Sequence, residues 1–331
     1  MHPFSSTKGL EILTKKKNIF IIGPYHYCYS VASLIEGLNK IDDVKVFSNS
    51  EHNYCSNVVN TLSVQNQVCK MADVVVLCHS AMEDKYRDIV HPLLLEVQYD
   101  IDVYLDGSDN YELENDPTKY KLYLKREMHP EIIQGHKNIE PFLFATEDRY
   151  FADGSCEWKN KKDDLVCMMA VCDRRPWRQN IIDALNGKFS NNDRVFAGNY
   201  YGNKNQQTQS ISTEGRDNIG YFDKLMGAKI SIVAWGAIAC RQTGRFYESL
   251  ANKSMLLCMT VDPWITNYSF TDGKDIVLFD NTTELVEKAE YYISHPNEAE
   301  KIASAGYEHM LKYHTTKARA NQFLSLIKEY L

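Results

Sequence analysis

Apolar residues run along this chain in two alternating rhythms. Short continuous runs fall at Asn18–Gly23 (NIFIIG), Val44–Phe47, Val74–Cys78, Asp102–Leu105 and Leu122–Lys125, with an extended piece at Ile139–Phe142. A second set falls at Leu165–Val171 (LVCMMAV), Arg194–Gly198, Ile230–Ala234, Met255–Met259 and Ile276–Leu278. Runs of this length predict strands buried on both faces of a parallel sheet. Between them apolar residues recur three and four apart, the helical period. Val31, Leu34, Ile35 and Leu38 mark such a stripe in Tyr25–Asn39, and Ile181, Ile182 and Leu185 mark one after Pro176, a residue suited to a first helical turn. Ile89–Val97, Tyr221–Ala228, Arg245–Asn252, Thr283–Ile293 and Pro296–Tyr313 read the same way, and Thr315 is placed to cap a last helix ending at Leu331. Strand, crossover and strand in repetition predict an α/β protein of doubly wound parallel sheets.

The polar stretch Ala152–Asp164 separates the two sets of runs and predicts a domain boundary there: residues 1–158, then 159–312, with 313–331 as a terminal helix. A chain of 331 residues has the length for two domains. Composition adds exclusions. Hydrophobic residues make 44% and charged residues 24%, the balance of a soluble globular protein. A net charge of −7 argues against a generally basic nucleic-acid surface. The nine cysteines are scattered without a C-x-x-C pair, which fits free thiols in a reducing compartment. The opening MHPFSSTKGLEILTKKK has no apolar core of a signal peptide, and no run has the length of a membrane span, so a cytoplasmic location is expected. No metal-ligand spacing emerges.

Candidate chemistry gathers at strand ends. The loop after the first strand holds only Gly23 and no G-x-G-x-x-G, which disfavours a dinucleotide there. Asp106 and Asp109 follow the fourth strand at the sheet edge where ligands of open α/β sheets bind, although Asp-Gly-Ser-Asp is equally good turn chemistry. Arg174, Arg175 and Arg178 surround the helix start at Pro176. That is an anion signal or a solvated basic turn. In TGRFYESLANKSMLLCMTVDP, Gly244 sits in the approach to a helix, Arg245 stands at its start, and Glu248 follows on the same face. An arginine there can grip a diphosphate, and a carboxylate one turn on can accept sugar hydroxyls. An ordinary i,i+3 ion pair is the plainer reading.

From this stretch onward the chain resembles the C-terminal half of GT-B glycosyltransferases, in particular the CgeB-like branch and the "glycosyl transferases group 1" relatives. The residues that carry the resemblance are GRFYESLANKSMLL, FTDGKDIVLFDN, ELVEKAEYYISHP, IASAGYEHMLKYHT and Arg319, in order over about the last third of the chain. The resemblance implies two Rossmann-like domains facing each other across a cleft, with the C-terminal helix crossing back onto the first. It implies a glycosyltransferase that needs no metal and no cofactor. The donor, a nucleoside-diphosphate sugar and by preference a UDP-sugar, would lie in the second domain. There Arg178, with Arg174 or Arg175 in support, and Arg245 would hold the diphosphate, beside Gly244 and Glu248. The acceptor would meet Tyr25, Tyr27, Asp109, Lys125 and Arg126 in the first domain, with His26 as general base and Asp106 as a catalytic or substrate-orienting carboxylate. Retaining relatives often carry an E-x7-E pair; Glu248 matches its second member, and Cys240 stands at the first. Retention is what the resemblance implies, and the departure leaves the anomeric outcome open. A glycan, a small molecule or a hydroxymethylated DNA base would serve as acceptor, the last disfavoured by the net charge. The alternatives are a catalytically silent nucleotide-sugar binding protein and a sugar-nucleotide epimerase on the same fold.

Overall fold

The computed structural model describes residues 16–24, 28–49, 55–59, 61–82, 101–129, 131, 135–151, 156–173, 175–199, 219–236, 242–261 and 270–331. Its strands are β1 (Lys17–Ile22), β2 (Val44–Ser48), β3 (Val74–Cys78), β4 (Val103–Asp106), β5 (Leu122–Lys125), β6 (Ile139–Pro141), β7 (Asp163–Met169), β8 (Val195–Asn199), β9 (Ala228–Val233), β10 (Met255–Met259) and β11 (Val277–Phe279). They form two sheets, in the orders β2-β1-β3-β4-β5-β6 and β11-β10-β9-β7-β8. Each pairing is parallel. The uniform apolar runs demand this: every residue of β3, β4 and β5 is buried, which a one-faced sheet would not allow. Chain direction across each sheet reverses once, between β1 and β3 and between β7 and β9. Each reversal opens a crevice at the carboxyl ends of those strands, because the flanking crossovers depart to opposite faces.

The helices are α1 (Tyr29–Leu38), α2 (Leu62–Met71), α3 (Pro176–Lys188), α4 (Ile219–Gly227), α5 (Gly244–Ala251), α6 (Thr282–Ser294), α7 (Pro296–Tyr313) and α8 (Thr316–Tyr330). One helix, α2, and one strand, β7, differ from expectation. α2 is mostly polar, and of its described side chains only Gln65 and Cys69 are buried, one turn apart, so the periodic signal is too thin to read. β7 begins inside the polar stretch because Asp163 pairs with Lys224, and Asp164 with Arg194 and Lys229, which lets a polar strand end stay in the ladder. The helix expected at Ile89–Val97 lies outside the described residues.

α8 crosses back to the first sheet. Thr315 accepts a bond from the Ala318 amide, the expected cap. Ala320, Phe323 and Ile327 then join Ile19, Val31 and Leu34 in the first domain's core. α1 and α8 meet at Gly37, where an added Cβ would lie 2.0 Å from the Thr316 carbonyl oxygen. Arg319 is fully buried and donates to the Phe144 carbonyl at 3.1 Å, so its side chain braces this return. A second apolar cluster joins the two halves: Tyr29, Phe144 and Tyr150 from the first pack with Phe246, Tyr247 and Leu250 of α5. The Tyr29 and Phe144 rings meet edge-on at 5.2 Å and Phe144 lies 6.1 Å from Tyr247. α5 is thus held between the sheets.

Candidate functional site

The second sheet's crevice is lined by arginines. Arg178 stands on the first turn of α3, which Pro176 opens, at the N-terminal end of the same buried face that carries Ile181, Ile182 and Leu185. Its guanidinium spans the crevice: Nη1 donates to the Ala170 carbonyl beyond β7 at 3.1 Å, and Nη2 donates to the Trp235 carbonyl beyond β9. Arg245, one residue into α5, donates from Nη1 to the Met168 carbonyl at 2.6 Å. Both arginines line one small cavity with Met169, Val233 and Thr243. Arg178 is 5% exposed, and its Nε has no hydrogen-bond partner; neither has Nε of Arg175. Burial, then Arg245, then Arg175 pull the Arg178 pKa down to about 9. An arginine left charged and crowded by other arginines at a strand-end crevice is a site that gains by receiving an anion. Arg174 lies outside the described residues.

Glu248 is 4% exposed, and the bond that holds it runs to another element: its Oε2 accepts from the Tyr221 hydroxyl on α4 at 2.7 Å. The Tyr221 ring also lies under Arg245, 5.7 Å from the guanidinium carbon. Gly244 opens α5 beside the carboxylate; an added Cβ would lie 3.6 Å from Glu248 Oε1. Arg245 and Glu248 are therefore fastened to β7 and α4 respectively. Tyr221 is the member of this group that sequence reading missed, since nothing local separates it from the other tyrosines of the chain.

The first domain holds a buried ion pair at the end of β4. Asp106 is wholly buried and accepts bonds from the Ser108 hydroxyl at 2.6 Å, the Ser108 and Glu114 amides at 3.1 and 3.2 Å, and the Tyr123 hydroxyl. Lys125, also wholly buried, lies 3.1 Å from it. Burial alone would raise the Asp106 pKa, but the Lys125 charge and these bonds leave it below the ordinary value. Asp106 is thus the anion of an interior ion pair, and Lys125 is its counterion. The Ser108 bonds back to Asp106 are the turn chemistry of Asp-Gly-Ser-Asp. Arg126 and Asp109 are brought together: Arg126 donates to Asp109 and, at 3.0 Å, to Glu127, with its guanidinium 4.4 Å from the Phe144 ring centre. Asp109 stays exposed. Tyr25, His26 and Tyr27 lie outside the described residues, as does Cys240. The next residue, Cys28, is half-buried at the start of α1 and accepts from Ser80 Oγ at 3.3 Å. Among the described residues no group of His, Cys, Asp and Glu could hold a metal, and no helix is long and apolar enough to cross a membrane.

Residues 178–325 match a family described as glycosyl transferase-like. No curated protein matches the sequence. Solved structures of similar fold include Anabaena Alr3699/HepE in complex with UDP-glucose, at TM-score 0.62 and 10% identity over 94% of this chain and 99% of that one. Sucrose-phosphate synthase from Thermosynechococcus elongatus follows at TM-score 0.57 and 10% identity, over 95% and 99%. A UDP-N-acetylglucosamine 2-epimerase reaches 0.53 at 11% identity, over 96% and 97%. At such identities the likeness is one of fold, and the shared fold is GT-B.

Proposed function

We propose that this chain, a GT-B glycosyltransferase whose residues 178–325 belong to the glycosyl transferase-like family, takes a nucleoside-diphosphate sugar in the crevice between β7 and β9 and passes the sugar to an acceptor held by its first domain. One observation carries the reading: Arg178 and Arg245 converge on the carboxyl ends of those strands, with Glu248 one turn beyond. As the sugar bond breaks, the diphosphate gains negative charge, and groups fixed beforehand where that charge appears lower the barrier. Arginine forks match phosphate oxygens two at a time, and helix N-termini, such as those that carry Arg178 and Arg245, favour anions. These supply positive charge without a metal. In this reading Glu248 takes the donor ribose. A UDP-sugar is the favoured donor, in keeping with the UDP-glucose named for HepE. The acceptor side comprises Asp109, Arg126, Tyr25, Tyr27 and His26, with His26 as general base. Retention of the anomeric centre and a cytoplasmic location complete the proposal.

Calorimetry with UDP tests it. Removing a charge-assisted bond costs roughly 1.5–3 kcal/mol, so Arg245→Ala and Arg178→Ala should each weaken UDP binding by about tenfold or more. Unchanged affinity in both variants overturns the assignment. The likeness to an epimerase keeps one second reading in play: conversion of a UDP-sugar with no acceptor present would favour it.

A further inference from the structure

We infer that Tyr221 is a positioning residue of the donor site, setting Glu248 so that one carboxylate oxygen, Oε1, is presented to the donor's ribose. The inference rests on the donor-site reading above. Tyr221 is 2% exposed, and its hydroxyl donates to Glu248 Oε2 at 2.7 Å inside the protein. The hydroxyl has little freedom to leave, because α4 is anchored on both sides. Tyr221 and Leu225 pack with Val166 and Met168 of β7 and with Ala228. Phe222 stacks on Tyr150 at 5.0 Å, and Tyr150 lies parallel to Tyr29 at 6.0 Å, which ties α4 to the first domain.

A glutamate has three side-chain torsions, and an unheld carboxylate would sample several directions. With Oε2 engaged by the phenol, Oε1 is the oxygen turned towards Gly244, where the missing side chain leaves the helix start open to close approach. The same ring lies beneath Arg245. Tyr221 therefore touches both the cation assigned to the diphosphate and the carboxylate assigned to the ribose, and it fixes their spacing. This narrows the expectation for Glu248. One ribose hydroxyl takes the short charge-assisted bond to Oε1, and the other is read more weakly.

The test measures dissociation constants by calorimetry for UDP, 2′-deoxy-UDP and 3′-deoxy-UDP on four proteins: wild type, Tyr221→Phe, Glu248→Gln and the double variant. Wild type should prefer UDP to one deoxy form clearly more than to the other. Tyr221→Phe removes a single hydrogen bond and should weaken UDP about fivefold, shrink that preference, and leave the affinity for the disfavoured deoxy form nearly unchanged. The double variant should be no worse than Glu248→Gln alone, since both substitutions cut the same linkage. A role confined to packing would lower the melting temperature but would weaken all three nucleotides alike. Wild type without any ribose preference overturns the donor-site reading. A wild-type preference that Glu248→Gln loses and Tyr221→Phe keeps leaves that reading standing and overturns the role of Tyr221. If Tyr221→Phe melts early, the three affinities measured below its melting temperature still give the deciding ratio.

Discussion

Asp106 shows how much a residue's meaning depends on what stands beside it. By sequence it is a carboxylate at a strand end; in the fold it is the anion of a buried pair, enclosed by Ser108, Tyr123 and Lys125. Removing one member of such a pair strands the other charge in the interior, at a cost of about 3–5 kcal/mol. Asp106→Asn should therefore lower the melting temperature strongly, and replacing Lys125 by Met in the same protein should recover part of the loss. A variant with wild-type stability and selectively lost turnover would instead give Asp106 a catalytic role. The pH dependence has a definite sign. The folded pKa lies below the ordinary value of 3.8. The pair's stabilisation is thus complete above the unfolded pKa and is lost as pH falls from there through the folded value. Acid melting curves should show this limb in the wild type and lose it in Asp106→Asn.

At the scale of elements, the contact of α1 with α8 decides whether the terminal helix closes the molecule. In an ordinary exposed helix a Gly→Ala change gains up to about 1 kcal/mol. At Gly37 a Cβ would stand 2.0 Å from the Thr316 carbonyl oxygen and 2.9 Å from the Ala320 Cβ, against backbone that cannot yield locally. Gly37→Ala should instead cost roughly 1–3 kcal/mol, the usual penalty of overpacking, and differential scanning calorimetry should show the melting temperature fall. A rise would mean that α8 does not sit this close. α3 and α8 were legible in the sequence because their signals are local: Pro176 at a first turn, Thr315 as a cap, and a clear apolar stripe in α3. α2 was not, because two buried side chains are too few to make a period. The limits of β7 were blurred for a related reason. Its first two residues are aspartates, kept in the strand by lysines and an arginine brought from elsewhere in the fold.

For the whole molecule, the arrangement of arginines predicts a transferase that works without a divalent ion. Activity, or UDP binding followed by thermal shift, should survive EDTA undiminished; abolition by EDTA with rescue by manganese would refute this. Binding should also raise the melting temperature by mass action, because only the folded chain assembles the crevice. The alternation of apolar runs and helical stripes, read residue by residue, determined the α/β class, the two parallel sheets and nearly every element that the structure describes, since burial periodicity is set by strand and helix geometry alone. The order of motifs near the C-terminus carried the resemblance to GT-B glycosyltransferases, and two helix starts marked Arg178, Arg245 and Glu248 as candidates. Their meeting was decided only in three dimensions. The reversal of strand order between β7 and β9 places Ala170 and Trp235 side by side for Arg178 to span, and it brings Met168 within reach of Arg245. Likewise the pairing of β4 with β5 sets Lys125 against Asp106, and the packing of α4 on β7 carries Tyr221 to Glu248. Local sequence carries the period of each element, but which side chains from distant elements share an interior is fixed by how the sheets are wound, and charge, burial and hydrogen bonding follow from that winding.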